Sequence, residues 1–246
     1  MNKIKVGIVS YLNTLPLIYG LQKLSINKKI ELIESFPKQL VELFKNNEIE
    51  LGLLPVAALK DLETYHLVGN YCIATDGTVG TVCLFSDVNL EDITTIYLDY
   101  QSRTSVELLK WLLKNYWKIN PKLIAATDDS FREKINGTTA GLIIGDRAFE
   151  QRKISKYTFD LGSEWKKATG FSFVFAVWVS KNNLSPEFIK EFDTANAFGL
   201  NQLDEIVANN PYELYDLKKY FTENICYNLD EEKRKAMNYF LSEIEK

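Results

Sequence analysis

The N-terminal part of the chain alternates between short β-rich runs and helical segments, and this alternation restricts the fold more than any other feature. Ile4 to Val9 is an apolar, β-branched run, and after a polar break Leu17, Ile18 and Leu21 begin a helix. Ile30 to Ser35 is a second strand, and Pro37 opens a helix whose Leu40, Val41 and Phe44 face inward until Asn46-Asn47 stops it. Ile49 to Leu54 is a third strand, closed by Pro55, with Val56 to Leu59 continuing as a short helix. Strands separated by helices need crossover connections, and these run right-handed into a parallel sheet. The chain is therefore expected to be α/β, with ligands gathering beyond the carboxyl ends of its strands.

The pattern changes after Tyr71 to Ala74. Asp76-Gly77 suggests a tight reversal into Val79 to Ser86, a long strand leaving the first sheet. Polar Asp87 to Asp92 follows, then a strand at Ile96 to Leu98 and a helix carrying Val106, Leu109, Leu112, Leu113 and Tyr116. Thr104 and Glu107 fit a capping box for that helix. Further strands are expected at Lys122 to Ala126 and Ala140 to Ile144, and a helix after Asp128-Asp129-Ser130. From Pro186 onward only helices are expected, at Phe188 to Val207, Tyr212 to Phe221 and Asp230 to Ile244. These elements predict two lobes, residues 1–86 plus 176–246 and residues 87–175, with crossovers near Ser86 and Phe175, a cleft between them and the helical tail folded back on the first lobe.

Composition narrows the function. A chain of 246 residues with 46% hydrophobic and 25% charged residues is an ordinary globular protein, and a net charge of -4 argues against nucleic acid as a partner. Cys72, Cys83 and Cys226 are far apart and His66 is the single histidine, so neither a disulfide framework nor a zinc site is expected. The N-terminus lacks an apolar run of signal-peptide length and no stretch approaches membrane-spanning length, which predicts a cytoplasmic protein with no membrane partner.

Polar residues gather where strands meet helices. Ser10, Tyr11 and Asn13 follow the first strand, Ser102, Arg103, Thr104 and Ser105 open a helix, and Asp146 follows Gly145 at the end of an apolar strand. A helix start presents unpaired N–H groups and the positive end of a macrodipole, so the hydroxyls and guanidinium added at 102–105 suit a small carboxylate. Plainer roles fit the same residues: Thr104 and Ser105 as caps, Arg103 as a solvated charge, Asn13 as a turn former, Thr81 as a strand residue. Asp146 suits a ligand contact, a base or a helix cap. Phe171, Phe173 and Phe175 alternate along one strand face, either walling a planar ligand or packing in the core.

In order along the chain, Ser10-Tyr11-Leu12-Asn13-Thr14-Leu15-Pro16-Leu17, Leu53-Leu54-Pro55, Val79 to Ser86, Ser102-Arg103-Thr104-Ser105-Val106, Leu142 to Asp146 and Thr169 to Trp178 resemble the signature blocks of chorismate dehydratase, which acts in the futalosine route to menaquinone. The family often has serine where this chain has Thr81, and Pro55-Val56-Ala57-Ala58 lacks the polar residues often found there. The resemblance implies a type II periplasmic-binding-protein fold and a cofactor-free, metal-free conversion of chorismate to 3-((1-carboxyvinyl)oxy)benzoate. It implies substrate binding by Ser10, Tyr11, Ser102, Arg103, Thr104, Ser105, Thr169, Phe171 and Phe173, and catalytic roles for Asn13, Thr81 and Asp146. The proton at C3 would be taken either by Asp146, if partial burial raises its pKa, or by the enolpyruvyl carboxylate of the substrate, oriented by Asn13 and Thr81. Two other readings share the fold: a non-catalytic carboxylate-binding protein or sensor, and dihydroxynaphthoate synthase. The latter family relies on a first-loop histidine that Ser10-Tyr11-Leu12-Asn13 lacks.

Overall fold

The computed structural model describes residues 3–245. The chain begins with β1 (Ile4–Val9), α1 (Leu15–Lys23), β2 (Ile30–Ser35), α2 (Pro37–Lys45), β3 (Leu51–Pro55) and β4 (His66–Thr75). It continues through β5 (Val82–Ser86), β6 (Thr95–Leu98), α3 (Arg103–Trp111), β7 (Lys122–Ala125), β8 (Thr139–Ile144), α4 (Arg147–Arg152), β9 (Tyr157–Asp160) and α5 (Leu161–Thr169). It ends with β10 (Phe173–Ser180), α6 (Pro186–Leu200), α7 (Leu203–Asn209), the single turn α8 (Leu217–Lys219), β11 (Cys226–Asn228) and α9 (Glu231–Ile244).

Two mixed sheets give a two-lobed α/β fold. The first has the order β11-β4-β10-β3-β1-β2 and the second β7-β6-β8-β5-β9. β1 pairs in parallel with β2 and β3, as the opening alternation requires, and β6 pairs in parallel with β7 and β8. β10 is antiparallel to both β3 and β4, and β5 to both β8 and β9, so each sheet carries strands that reverse its direction. Every residue of β3 and of β5 is buried, which suits apolar runs covered on both faces. Pro16, Pro37 and Pro186 stand in the first turns of α1, α2 and α6, where a missing N–H costs nothing.

The structure corrects the sequence expectations in several places. Val82–Ser86 lies in the second sheet rather than the first, because a strand apolar on both faces is placed between two others. Phe173 to Phe175, assigned to the second lobe, belong to β10 of the first sheet. The chain thus crosses between Thr75 and Val82 and returns between Thr169 and Phe173. Asp76-Gly77 makes no hairpin, since the strands on either side lie in different sheets. The tail is not purely helical: Cys226–Asn228 adds an edge strand to β4. The long helix expected to reach Val207 breaks between α6 and α7, and the Tyr212 to Phe221 segment is helical only from Leu217, with a wide turn over Tyr220–Asn224.

The tail is fixed to the first lobe through α1 and α6, which cross at two glycines. A Cβ at Gly20 would stand 1.8 Å from the Ala195 carbonyl oxygen, and one at Gly199 would stand 1.7 Å from that of Pro16. Backbone cannot yield there as a flexible side chain can. Gly199→Ala is expected to destabilise the protein by about 1–3 kcal/mol, a fall of several degrees in melting temperature. An unchanged melting temperature would contradict the close crossing.

Candidate active site

A cleft of about 560 Å³, including its mouth, opens where the two sheets face each other, a size typical of small-molecule sites. Its polar lining comes from separate segments: Tyr11, Asn13 and Thr14 after β1, Thr81 before β5, and Ser102 and Ser105 at the start of α3. Val79, Val82, Ile144 and Phe175 supply apolar wall. Among the described residues lining the cleft, none carries a formal charge.

The turn after β1 is set by Thr14, whose hydroxyl lies 2.6 Å from the Val9 carbonyl and 2.7 Å from that of Tyr11. The Asn13 carbonyl accepts from the Tyr227 hydroxyl at 2.9 Å. Ser10 is exposed and stands outside the lining. Tyr11 reaches across to the other lobe, its hydroxyl donating to Gln101 Oε1 at 2.5 Å. Burial, then the nearby Asp99 carboxylate, pushes the Tyr11 phenol up, so it stays protonated and remains a donor.

At α3 the cap is Ser102 rather than Thr104. Ser102 has extended backbone, its Oγ accepts from Ser105 N at 3.2 Å, and the two serine hydroxyls stand 3.0 Å apart. The helix thus starts earlier than the capping-box reading places it, which sends Thr104 elsewhere. Thr104 is buried, and its Oγ1 accepts from Ala57 N at 3.1 Å, tying the second lobe to the turn after β3. Arg103 turns outward and pairs with Asp61, again across the lobes. Of the four residues singled out at this junction, Ser102 and Ser105 line the cleft.

Asp99 organises the rim of the second lobe. Its buried side chain accepts from Gln101 N at 2.9 Å, from Ile144 N at 3.0 Å and from the Arg147 guanidinium at 2.7 Å. The ends of β6 and β8 and the start of α4 are therefore held by one carboxylate, and Gln101 is presented to Tyr11. Neither Asp99 nor Gln101 was a sequence candidate, although both fall inside the polar junction before α3.

Asp146 does not cap α4 with its side chain; both carboxylate oxygens lie 3.3 Å from Leu12 N in the opposite lobe. Burial raises its pKa to about 6, opposed by the Leu12 N–H and by Arg147. Its carbonyl accepts from the Tyr212 hydroxyl at 3.4 Å. Thr81 is buried beside the cleft, its hydroxyl 2.8 Å from that of Tyr220.

The aromatic strand face is divided by the structure. Phe175 lines the cleft, near a register shift between β10 and β4 at Val174 and Ala176. Phe173 is instead buried against Trp165 and Phe240, with ring centroids 5.3 and 4.8 Å away. Phe171 precedes β10, is exposed and packs on Tyr239 at 5.2 Å. Thr169 closes α5, donating to the Trp165 carbonyl at 2.8 Å and accepting from Phe171 N at 3.1 Å. Thr169, Phe171 and Phe173 therefore do not line the cleft: Thr169 and Phe171 precede β10, and Phe173, before the register shift at Val174 and Ala176, is enclosed by Trp165 and Phe240.

The profile of a protein family described as menaquinone biosynthesis matches residues 4–246. The chain belongs to the menaquinone biosynthesis family. Within that setting, a chorismate dehydratase of Thermus thermophilus is 26% identical over 257 aligned positions, covering 95% of this chain and 92% of that protein. A solved protein of Archaeoglobus fulgidus has the same fold, with a TM-score of 0.77 at 17% identity over 99% of this chain and 97% of its own. A Candida albicans protein described as having the generic periplasmic binding protein fold gives 0.64 at 16% identity, covering 100% and 90%. The fold expected from the sequence, periplasmic-binding-protein-like and two-lobed, is the fold observed. Among the described residues no helix is long and apolar enough to cross a membrane, and no cluster of three His, Cys, Asp or Glu side chains is placed to hold a metal ion.

Asp146 gives this family member a pH signature. A carboxyl that titrates near pH 6 when folded and near pH 4 when unfolded adds stability that is complete below about pH 4 and is lost as pH rises through about 6. Asp146→Asn should therefore be more stable than the parent at pH 7.5, by up to about 3 kcal/mol, with the difference shrinking below pH 6. Urea melts across this range check it; a difference independent of pH would contradict the raised pKa.

Proposed function

We propose that this chain is a chorismate dehydratase, a hydro-lyase of the futalosine route that turns chorismate into 3-((1-carboxyvinyl)oxy)benzoate without a cofactor. The observation that carries the proposal is the character of the cleft: hydroxyls, an amide and a helix start face one another, and among the described residues no charged side chain lines it. Such a site binds anions by hydrogen bonds and dipoles while supplying no titrating base of its own, which suits a substrate that brings its own carboxylates. The chorismate dehydratase relative, similar over nearly the whole chain, supports the same reading.

The proton at C3 of chorismate is vinylogous to the ring carboxylate, so its removal spreads negative charge onto that group. The start of α3, with Ser102 and Ser105, holds the ring carboxylate and stabilises the charge as it develops. The enolpyruvyl carboxylate takes the proton. Asn13 orients it, and Thr81 hydrogen-bonds the hydroxyl departing from C4. That hydroxyl and the C3 proton make the water lost, and aromatisation of the ring drives the step. Phe175 walls the ring plane.

A second assignment of the base has one observation in its favour, since a carboxyl raised to about 6 is poised for general-base work near neutral pH. Against it, the Asp146 carboxylate engages Leu12 N and stands outside the cleft lining, so the substrate carboxylate is the preferred base.

Chelator-treated protein mixed with chorismate should generate benzenoid absorbance. Binding without turnover would mark a sensor or binding protein instead, and absence of binding would remove both readings. Ser105→Ala removes a charge-assisted hydrogen bond of roughly 1.5–3 kcal/mol and should weaken substrate binding by about one to two orders of magnitude. Asn13→Ala should lower turnover far more than affinity, as loss of orientation does. Equal effects of the two substitutions on affinity would contradict the division of labour.

A further inference from the structure

The tail between α7 and α9 is rich in tyrosine, and four of its phenols make hydrogen bonds that bear on the cleft or its surroundings. Tyr212 donates to the Asp146 carbonyl, Tyr215 to Asn224 Oδ1 at 3.1 Å, and Tyr227 to the Asn13 carbonyl. Tyr220 differs from the other three. Its hydroxyl meets a side chain that lines the cleft, standing 2.8 Å from Thr81 Oγ1. Its ring is fully buried, edge-on to Phe149 at a centroid distance of 5.3 Å, so its oxygen is fixed by packing.

Proton bookkeeping gives this bridge a direction. Both groups can donate and accept, but a phenol is far more acidic than an aliphatic hydroxyl and is the better donor. The phenol proton therefore goes to Thr81 Oγ1, and the Thr81 proton is left for the cleft. Burial raises the pKa of Tyr220, so the proton that sets this order is retained.

We propose that Tyr220 is a positioning residue of the site: its hydroxyl donates to Thr81, aiming the Thr81 hydroxyl proton into the cleft. The role in turnover rests on the dehydratase reading, in which Thr81 meets the departing hydroxyl. Tyr220 itself lies outside the lining and acts through Thr81.

Tyr220→Phe removes one oxygen and leaves the ring. It is expected to lower kcat about 10- to 100-fold while KM and the dissociation constant for chorismate change less than about threefold. The double variant Thr81→Ala with Tyr220→Phe should lose no more kcat than Thr81→Ala alone, because the two oxygens act as one unit. Tyr215→Phe removes a phenol oxygen from the same tail and should leave kcat near that of the parent. A readout independent of turnover is the Thr81 methyl signal in a carbon-13 NMR spectrum, which should shift in Tyr220→Phe and stay in place in Tyr215→Phe. Losses that multiply in the double variant, equal losses in the two tyrosine variants, or a Thr81 methyl signal unmoved by Tyr220→Phe would overturn the proposal. If the parent protein fails to turn over chorismate, the dehydratase reading falls, while the methyl measurement still decides whether Tyr220 holds Thr81.

Discussion

The architecture of the cleft depends on a buried carboxylate that takes no part in its chemistry. Asp99 directly follows β6, and with its side chain fully shielded from solvent it gathers Gln101 N, Ile144 N and Arg147. An isolated charge there would be costly to bury, and it is the guanidinium together with two backbone donors that makes the position tenable. Fixing those three partners fixes the strand end before α3, the strand end before Asp146 and the first turn of α4. The loop that presents Ser102 and Ser105 and the side chain that meets Tyr11 follow from the same anchor.

Around that anchor the lobes, which share no continuous sheet, are joined by apolar packing of Trp165 against Phe173 and Phe240 and by polar contacts. Tyr11 meets Gln101, Leu12 N meets Asp146, Ala57 N meets Thr104, and Arg103 pairs with Asp61. Each of these is a single hydrogen bond or ion pair of modest net worth, so they set the register of the lobes while the shared apolar core supplies most of the hold between them. The contacts border a lining that keeps charge away, with Arg103, Asp146 and Arg147 all engaged outside it. Hydroxyls and an amide that cannot titrate near neutral pH are left to meet the ligand.

Much of this was legible in the sequence, because it was encoded locally. The alternation of strands with proline-started helices gave the parallel arrangement of β1, β2 and β3, and the junction at 97–105 marked a wall of the cleft. Asn13 and Thr81, far apart in the chain, do line one cavity. What escaped was set by tertiary contact. Thr104 looked like a cap until the helix began at Ser102, and Phe173 looked like a ligand wall until Trp165 and Phe240 enclosed it. Val82–Ser86 could be placed only by its partners, since an all-apolar run does not reveal which sheet will bury it. No local pattern announces that Tyr220 will meet Thr81, 139 residues away.

The central claim is that the site provides orientation and charge stabilisation while the substrate provides the base. Steady-state kinetics of Asp146→Asn, with folding verified by melting temperature and chorismate binding by calorimetry, test it most directly. The account predicts a folded, binding-competent variant that keeps much of its turnover, because the amide oxygen can still accept from Leu12 N. A variant that folds and binds chorismate yet is inactive would contradict it and make Asp146 the general base.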